Sequence, residues 1–155
     1  MNFRQKAVMF LATGCFIGKI PFAPGTFGSL EGLPLSFLLS KLNLSITILC
    51  IFAFILFAVW IANAAETILN KNDPGCIVID EIAGMAVTLA GLPFNLFFTV
   101  TGFITFRVLD ILKPFPIRYL EKRFSGGVGV VLDDVAAGIF ANILLRALLF
   151  LIGKT

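Results

Sequence analysis

From Leu44 to Ala65 the chain reads LSITILCIFAFILFAVWIANAA, with no charged residue anywhere in the run. A helix crossing the hydrocarbon core of a bilayer needs roughly 20 consecutive apolar residues, each adding about 1.5 Å. A run of this kind can be hidden in lipid or at the centre of a large soluble fold. The second option fails on size. The chain has 155 residues, and 59% of them are hydrophobic. A small domain has too much surface for its volume to cover that much apolar side chain. Charged residues make up only 14%, against about 25% in an ordinary soluble domain. The expectation is a single all-helical domain, residues 1–155, built as a polytopic membrane protein with about five membrane-embedded helices and an N-terminal helix.

Two further uncharged runs support this, Ile82 to Phe106 and Val135 to Leu145, the second continuing to Ile152 with only Arg146 interrupting it. The N-terminal stretch MNFRQKAVMFLATGCFIGKIPFAPGT runs from a basic start into a polar motif without a cleavage site, so a removed signal peptide is not expected. Glycine and proline divide the remainder. The pattern predicts helices from about Gln5 to Phe16, from Ser29 to Leu39, from a short turn at Lys41–Asn43 to near Leu69, from near Ile79, and from about Asp134 to Ile152. The stretch Ile82–Phe106 admits two readings, one long helix kinked at Pro93 or two short helices joined by a turn at Gly91–Asn95. Gly, Pro and Asn together favour the turn. The hairpin also returns Asp80 and Glu81 to the side that holds Arg107 and Asp110.

With five crossings, Arg4, Lys6, Lys19, Lys71, Arg107, Lys113, Arg118, Lys122 and Arg123 fall on one side, and Lys41 and Lys154 on the other. Basic residues mark the cytoplasmic side. The same threading gathers PGTFGS, IVIDE, FRVLDILKP and LDD at that side, which hydropathy alone does not require. The net charge of +3 is too small to argue for a nucleic-acid partner. Cys15, Cys50 and Cys76 form no CxxC pair and read as small apolar residues.

Asp80, Glu81, Asp110, Asp133 and Asp134 all adjoin apolar helices, where a carboxylate is costly unless it pairs or binds a cation. Singly, Asp80 or Asp134 would serve as a helix cap, and Asp110 as a partner for Arg107 three residues away on the same face. Grouped at one face, they suit a hard divalent ion such as Mg²⁺, which takes oxygen ligands. Arg107, Lys113 and Arg118 beside them could clamp phosphate, Arg107 by its two-pronged guanidinium. Pro24–Ser29 precedes a predicted helix, so its N–H groups and hydroxyls are either an anion nest or a plain cap. Gly126, Gly127 and Gly129 are expected to turn the backbone before Asp133, with no GK[ST] to make a Walker loop.

The chain contains no histidine, which excludes a histidine base and a Ser-His-Asp triad. What remains is attack by water assisted by a metal, or attack by a carboxylate. A small transporter or ion-coupled channel is the rival reading, since charged helix ends and broken helices occur there too. A membrane assembly subunit without chemistry is a third. Neither explains acids gathered at one face.

Pro24-Gly25-Thr26 with Gly28-Ser29, Leu33-Pro34, IVIDEIAG (Ile77–Gly84), FRVLDILKPFPIRYLE (Phe106–Glu121) and GGVGVVLDDVAAG (Gly126–Gly138) together resemble the phosphatidylglycerophosphatase A family, in order and spacing over nearly the whole chain. The resemblance implies a Mg²⁺-dependent phosphatase of the bacterial inner membrane, facing the cytoplasm. Its implied substrate is a phospholipid, phosphatidylglycerophosphate, which loses its terminal phosphate. On that basis Asp80, Glu81, Asp133 and Asp134 are expected to hold the ion, with Asp110 a ligand or base. Arg107 and Lys113 would stabilise charge on the phosphate, and Thr26, Ser29 and Arg118 would bind substrate.

Overall fold

The computed structural model describes residues 1–153, with the side chains at 121 and 122 outside the described set. The orientation readings placed on Lys122 and Lys154 therefore lie outside the described residues. The described chain is helical throughout and contains no strand. Its elements are α1 (Phe3–Ala12), a 3₁₀ turn (Ile17–Lys19), α2 (Pro24–Leu39), α3 (Leu44–Leu69), α4 (Ile79–Leu89), α5 (Leu96–Leu112), α6 (Ile117–Arg123) and α7 (Gly127–Ile152).

Among the described residues, only α3 and α7, each 26 residues long, are long and apolar enough to cross a membrane. Two of the expected set of about five membrane-embedded helices meet this criterion. Helix α4 falls short on length: it has 11 residues and rises about 16 Å, little more than half of a hydrocarbon core. Neither long helix is a buried core element, since only 22% of the apolar window of α3 and 33% of that of α7 is buried. Leu49, Phe52, Leu56 and Trp60 of α3 all point outward.

The Gly91–Asn95 turn forms as the sequence predicts. Gly91 adopts φ +66°, and Asn95 caps α5 by accepting from the Phe98 N–H at 2.9 Å. The far end of α4 would otherwise leave carbonyls bare. Asn142 donates to the carbonyls of Thr88 (2.9 Å) and Ala90 (3.0 Å), and Arg146 donates to Ala90 at 2.9 Å. The lone arginine in the last apolar run is thus a helix cap for its neighbour.

Short helix α4 lies at the centre, packed on α2, α3, α5 and α7. Small residues permit this. A Cβ at Gly28 would stand 2.6 Å from Val78 Cβ, and one at Gly32 2.6 Å from Met85 Cβ. On the opposite flank, a Cβ at Gly84 would meet the Phe106 ring at 2.6 Å, and one at Gly138 would strike the Gly84 carbonyl. Backbones approaching through glycine, with Ser29, Ser36 and Thr88 hydroxyls bonded to carbonyls four residues back, are the packing mode of lipid-embedded helices.

Three local expectations are corrected. The N-terminal helix stops at Ala12, because Cys15 and Phe16 take positive φ. Pro24–Ser29 is the first part of α2 and not a loop before it: Pro24 suits the first helical position, where a missing N–H costs nothing. Of the three glycines before Asp133, only Gly126 turns the chain, at φ +70°. Gly127 and Gly129 already belong to α7, where Cβ atoms would strike the backbone of Asn63 and Val59, and of Phe124.

Candidate functional site

Asp80 and Glu81 occupy the first turn of α4, where the positive end of the helix favours carboxylates. Asp134 comes from the second turn of α7 across the tight α4–α7 contact. The three side chains each offer one oxygen, and those oxygens lie within 4.8 Å of one another. Asp80 is 7% exposed and Asp134 3%. Like charges at that separation repel by about 3 kcal/mol per pair even at a generous effective dielectric of ~20. The hairpin adds Arg107 and Asp110 from the last turns of α5. Arg107 Nη1 stands 2.7 Å from Asp110 Oδ2, 4.0 Å from Glu81 Oε1 and 3.3 Å from Ser29 Oγ, to which it donates.

The charges do not balance within this cluster. Among the described residues, Arg107 is the cation seen paired within this group of four carboxylates, with Glu81 and Asp110. Asp80 Oδ1 and Glu81 Oε2 are buried with no hydrogen-bond partner among the described residues. Buried carboxylate oxygens left in that state are expensive. A hard divalent cation satisfies all three demands at once: oxygen donors, closeness, and a surplus of negative charge. The residues present therefore fit such an ion.

The other expected residues divide. Asp133 is buried, but its Oδ2 lies 2.6 Å from Lys113 Nζ, outside the three-oxygen group. Lys113, expected as a phosphate ligand, is thus engaged with Asp133. Ser29 is buried, donates to the Gly25 carbonyl at 2.8 Å and accepts from Arg107, so it braces the guanidinium. Thr26 is half-buried in the first turn of α2, its N–H on the Ala23 carbonyl at 3.0 Å. Arg118 is exposed and lines a surface groove with Lys113, Phe115 and Tyr119.

Two residues escaped the sequence reading. A Cβ on Gly25 would collide with Glu81 Oε1 and lie 3.0 Å from Arg107 Nη2. Within PGT it is the missing side chain, more than the hydroxyl, that makes room for the cluster. Glu66 is the second. It is 7% exposed at the polar end of α3, and its Oε1 accepts from the Asp73 N–H at 2.7 Å. Its signal was the acid that ends the uncharged run through Leu44–Ala65.

The family model for phosphatidylglycerophosphatase A matches residues 10–149. The chain belongs to the phosphatidylglycerophosphatase A family. That makes it a member of an enzyme family of phosphatases. A relative named phosphatidylglycerophosphatase A from Escherichia coli (strain K12) is 36% identical over 132 residues, covering 84% of this chain and 77% of the relative. A relative of the same name from Haemophilus influenzae (strain Rd) is 38% identical over 144 residues, covering 91% and 88%. A third, from Bacteroides thetaiotaomicron and named "Putative phosphatidylinositol-3-phosphatase", is 37% identical over 153 residues, covering 94% and 95%. No solved structure matches the chain. The family match takes in every residue of the acidic cluster together with Gly25, Ser29 and Arg107.

Proposed function

We propose that this chain is a Mg²⁺-dependent lipid phosphatase that converts phosphatidylglycerophosphate to phosphatidylglycerol and phosphate at the cytoplasmic face of a bacterial inner membrane. The observation that carries it is the convergence of Asp80, Glu81 and Asp134 oxygens within 4.8 Å beside Arg107, in a chain of this family.

Membrane embedding is supported by α3 and α7, whose apolar surfaces are mostly outward-facing. In this reading α2, α4 and α5 are embedded as well, and the half-length α4 stops inside the bilayer because Asn142 and Arg146 close its end. The basic residues near the acidic cluster set the orientation.

Asp80, Glu81 and Asp134 would hold the ion. A divalent cation in that position supplies positive charge to the phosphate oxygens and acidifies water. Hydrolysis breaks the phosphorus–oxygen bond to the headgroup, adds a water oxygen to phosphorus, and returns a proton to the leaving alcohol. Arg107 turns its remaining N–H groups toward charge developing on the phosphate. Asp110 holds Arg107 in place at 2.7 Å and is a carboxylate outside the ion-binding set, which suits it to accept the proton of the attacking water. Ser29 fixes the other side of the guanidinium. Lys113, through Asp133, fixes the register of α7 beside Asp134, while Thr26 and Arg118 meet the substrate at the rim.

The test is phosphate release by purified protein in mixed micelles. Release from phosphatidylglycerophosphate should vanish with EDTA, return with Mg²⁺, and be absent in Asp80→Asn. The name of the Bacteroides relative makes phosphatidylinositol 3-phosphate the second substrate to try. Vesicle uptake of an ion without phosphate release from either lipid would replace the phosphatase reading with that of a transporter.

A further inference from the structure

Beside the acidic cluster lies a cavity of about 240 Å³ that none of the roles above uses. It is lined by Glu66, Asn72, Asp73, Ser125, Gly126 and Asp133, with Phe124, Gly129 and Val130 completing the wall. Asp133 joins it to the cluster, being the neighbour of Asp134 on α7.

Glu66 is the unusual member. Its side chain is more than nine-tenths buried. One oxygen is satisfied by the Asp73 N–H, an interaction that holds Asp73 at φ +44°. The other oxygen, Oε2, has no protein donor and lies toward the cavity, 3.8 Å from where a Cβ on Gly126 would be. Gly126 thus leaves open the space in front of it. This oxygen takes its donor from whatever fills the cavity, since none of the described residues lining it is basic.

We propose that this cavity is the headgroup subsite and that it binds the free hydroxyl of a polyol, with Glu66 as the residue that reads it. The inference rests on the phosphatase reading and deepens it. A wall of carboxylates, Asn72 and Ser125 repels a phosphate and accepts hydroxyl protons. It does not suit a second metal ion: the Glu66 and Asp73 carboxylates do not join any group of converging acidic oxygens among the described residues, and only Asp80, Glu81 and Asp134 do. Its volume falls below the ~300–1,000 Å³ of sites for larger ligands, a size suited to a small headgroup. Sites built around a substrate hydroxyl reject the analogue that lacks it, because their own polar groups are then left unpaired.

The experiment compares phosphatidylglycerophosphate with the matched lipid whose headgroup is propane-1,3-diol phosphate, identical except for the central hydroxyl. Wild-type protein should favour the hydroxylated lipid in kcat/KM by about tenfold or more, as expected for a hydrogen bond to a charged group. Glu66→Gln should lose most of that preference through KM, and Asn72→Ala part of it. Both variants should keep the wild-type rate on the deoxy lipid within about twofold. Equal wild-type rates on the two lipids, or equal losses on both in Glu66→Gln, would overturn the subsite. Loss of one bound divalent ion in Glu66→Gln would overturn it in favour of a cation site. Wild-type protein that releases phosphate from neither lipid would instead defeat the phosphatase reading beneath it.

Discussion

Gly25→Ala tests the site without replacing any side chain that could bind metal or phosphate. The added methyl would be driven into Glu81 Oε1 and would crowd both terminal nitrogens of Arg107, at 3.0 and 3.2 Å. The obstacle is the far end of two flexible side chains, so the fold can yield and the cluster cannot. Relieving the clash moves the Glu81 carboxylate by about 1 Å, out of a group whose oxygens span 4.8 Å. A misplacement of ~1 Å at a reacting centre costs on the order of a hundredfold, equivalent to about 2.7 kcal/mol of transition-state stabilisation. Stability should hardly fall, because alanine is the better helix former by about 1 kcal/mol and this offsets part of the crowding. The assay is phosphate release as a function of Mg²⁺, alongside thermal unfolding in detergent. The expected result is a fall in kcat/KM of about a hundredfold and a raised Mg²⁺ requirement, with little change in melting. Glu81→Asp, which shortens the obstacle, should cost less in the Gly25→Ala background than alone, since the two sites share one contact. Wild-type kcat/KM and Mg²⁺ dependence in Gly25→Ala would refute the reasoning that this glycine sets the position of Glu81.

Three other outcomes follow from the same geometry. Asp134→Asn should abolish phosphate release and weaken Mg²⁺ binding by calorimetry, while size-exclusion profiles in detergent stay unchanged. Lys113→Met removes the cation 2.6 Å from the buried Asp133 carboxylate, so unfolding should be easier by about 3 kcal/mol, and Asp133→Asn in the same chain should restore part of the loss. Asn142→Leu bares the Thr88 and Ala90 carbonyls that it now satisfies, and should lower stability by about 1–3 kcal/mol with residual activity retained at low temperature.

The sequence was legible where its physics is local. An uncharged run of that length dictates α3 whatever surrounds it, and Gly91, Pro93 and Asn95 dictate the turn by their own backbone preferences. From the turn follows the juxtaposition of Asp80 and Glu81 with Arg107. What stayed hidden depended on partners distant in the chain. Asp133 and Asp134 are neighbours in sequence, and helical rotation of about 100° between them sends one carboxylate to Lys113 and the other to the three-oxygen group. No spacing rule separates them until the facing helix is known. PGTFGS read as a loop because its glycines suggest turns, yet Gly25 and Gly28 are there for close approach, of the Glu81–Arg107 pair and of Val78. Arg146 looked like a stray charge in an apolar run, and only the truncated end of α4 explains it.

That truncation connects fold to chemistry. A single straight helix from Ile79 onward would have held Asp80 and Arg107 about 40 Å apart along its axis. Stopping after 11 residues lets α5 return to the same level, but leaves carbonyls in an apolar setting that only another helix can satisfy. Asn142 and Arg146 do so from α7, the helix that also delivers Asp134. One helix therefore closes the lower end of α4 and completes the acidic cluster at its upper end. The spacing of eight residues between Asp134 and Asn142 is about 12 Å along α7, close to the length of α4 it must bracket. Any change in the length of α4 would break one end or the other. Inserting a residue after Met85 should therefore lower phosphate release and the melting temperature in detergent together.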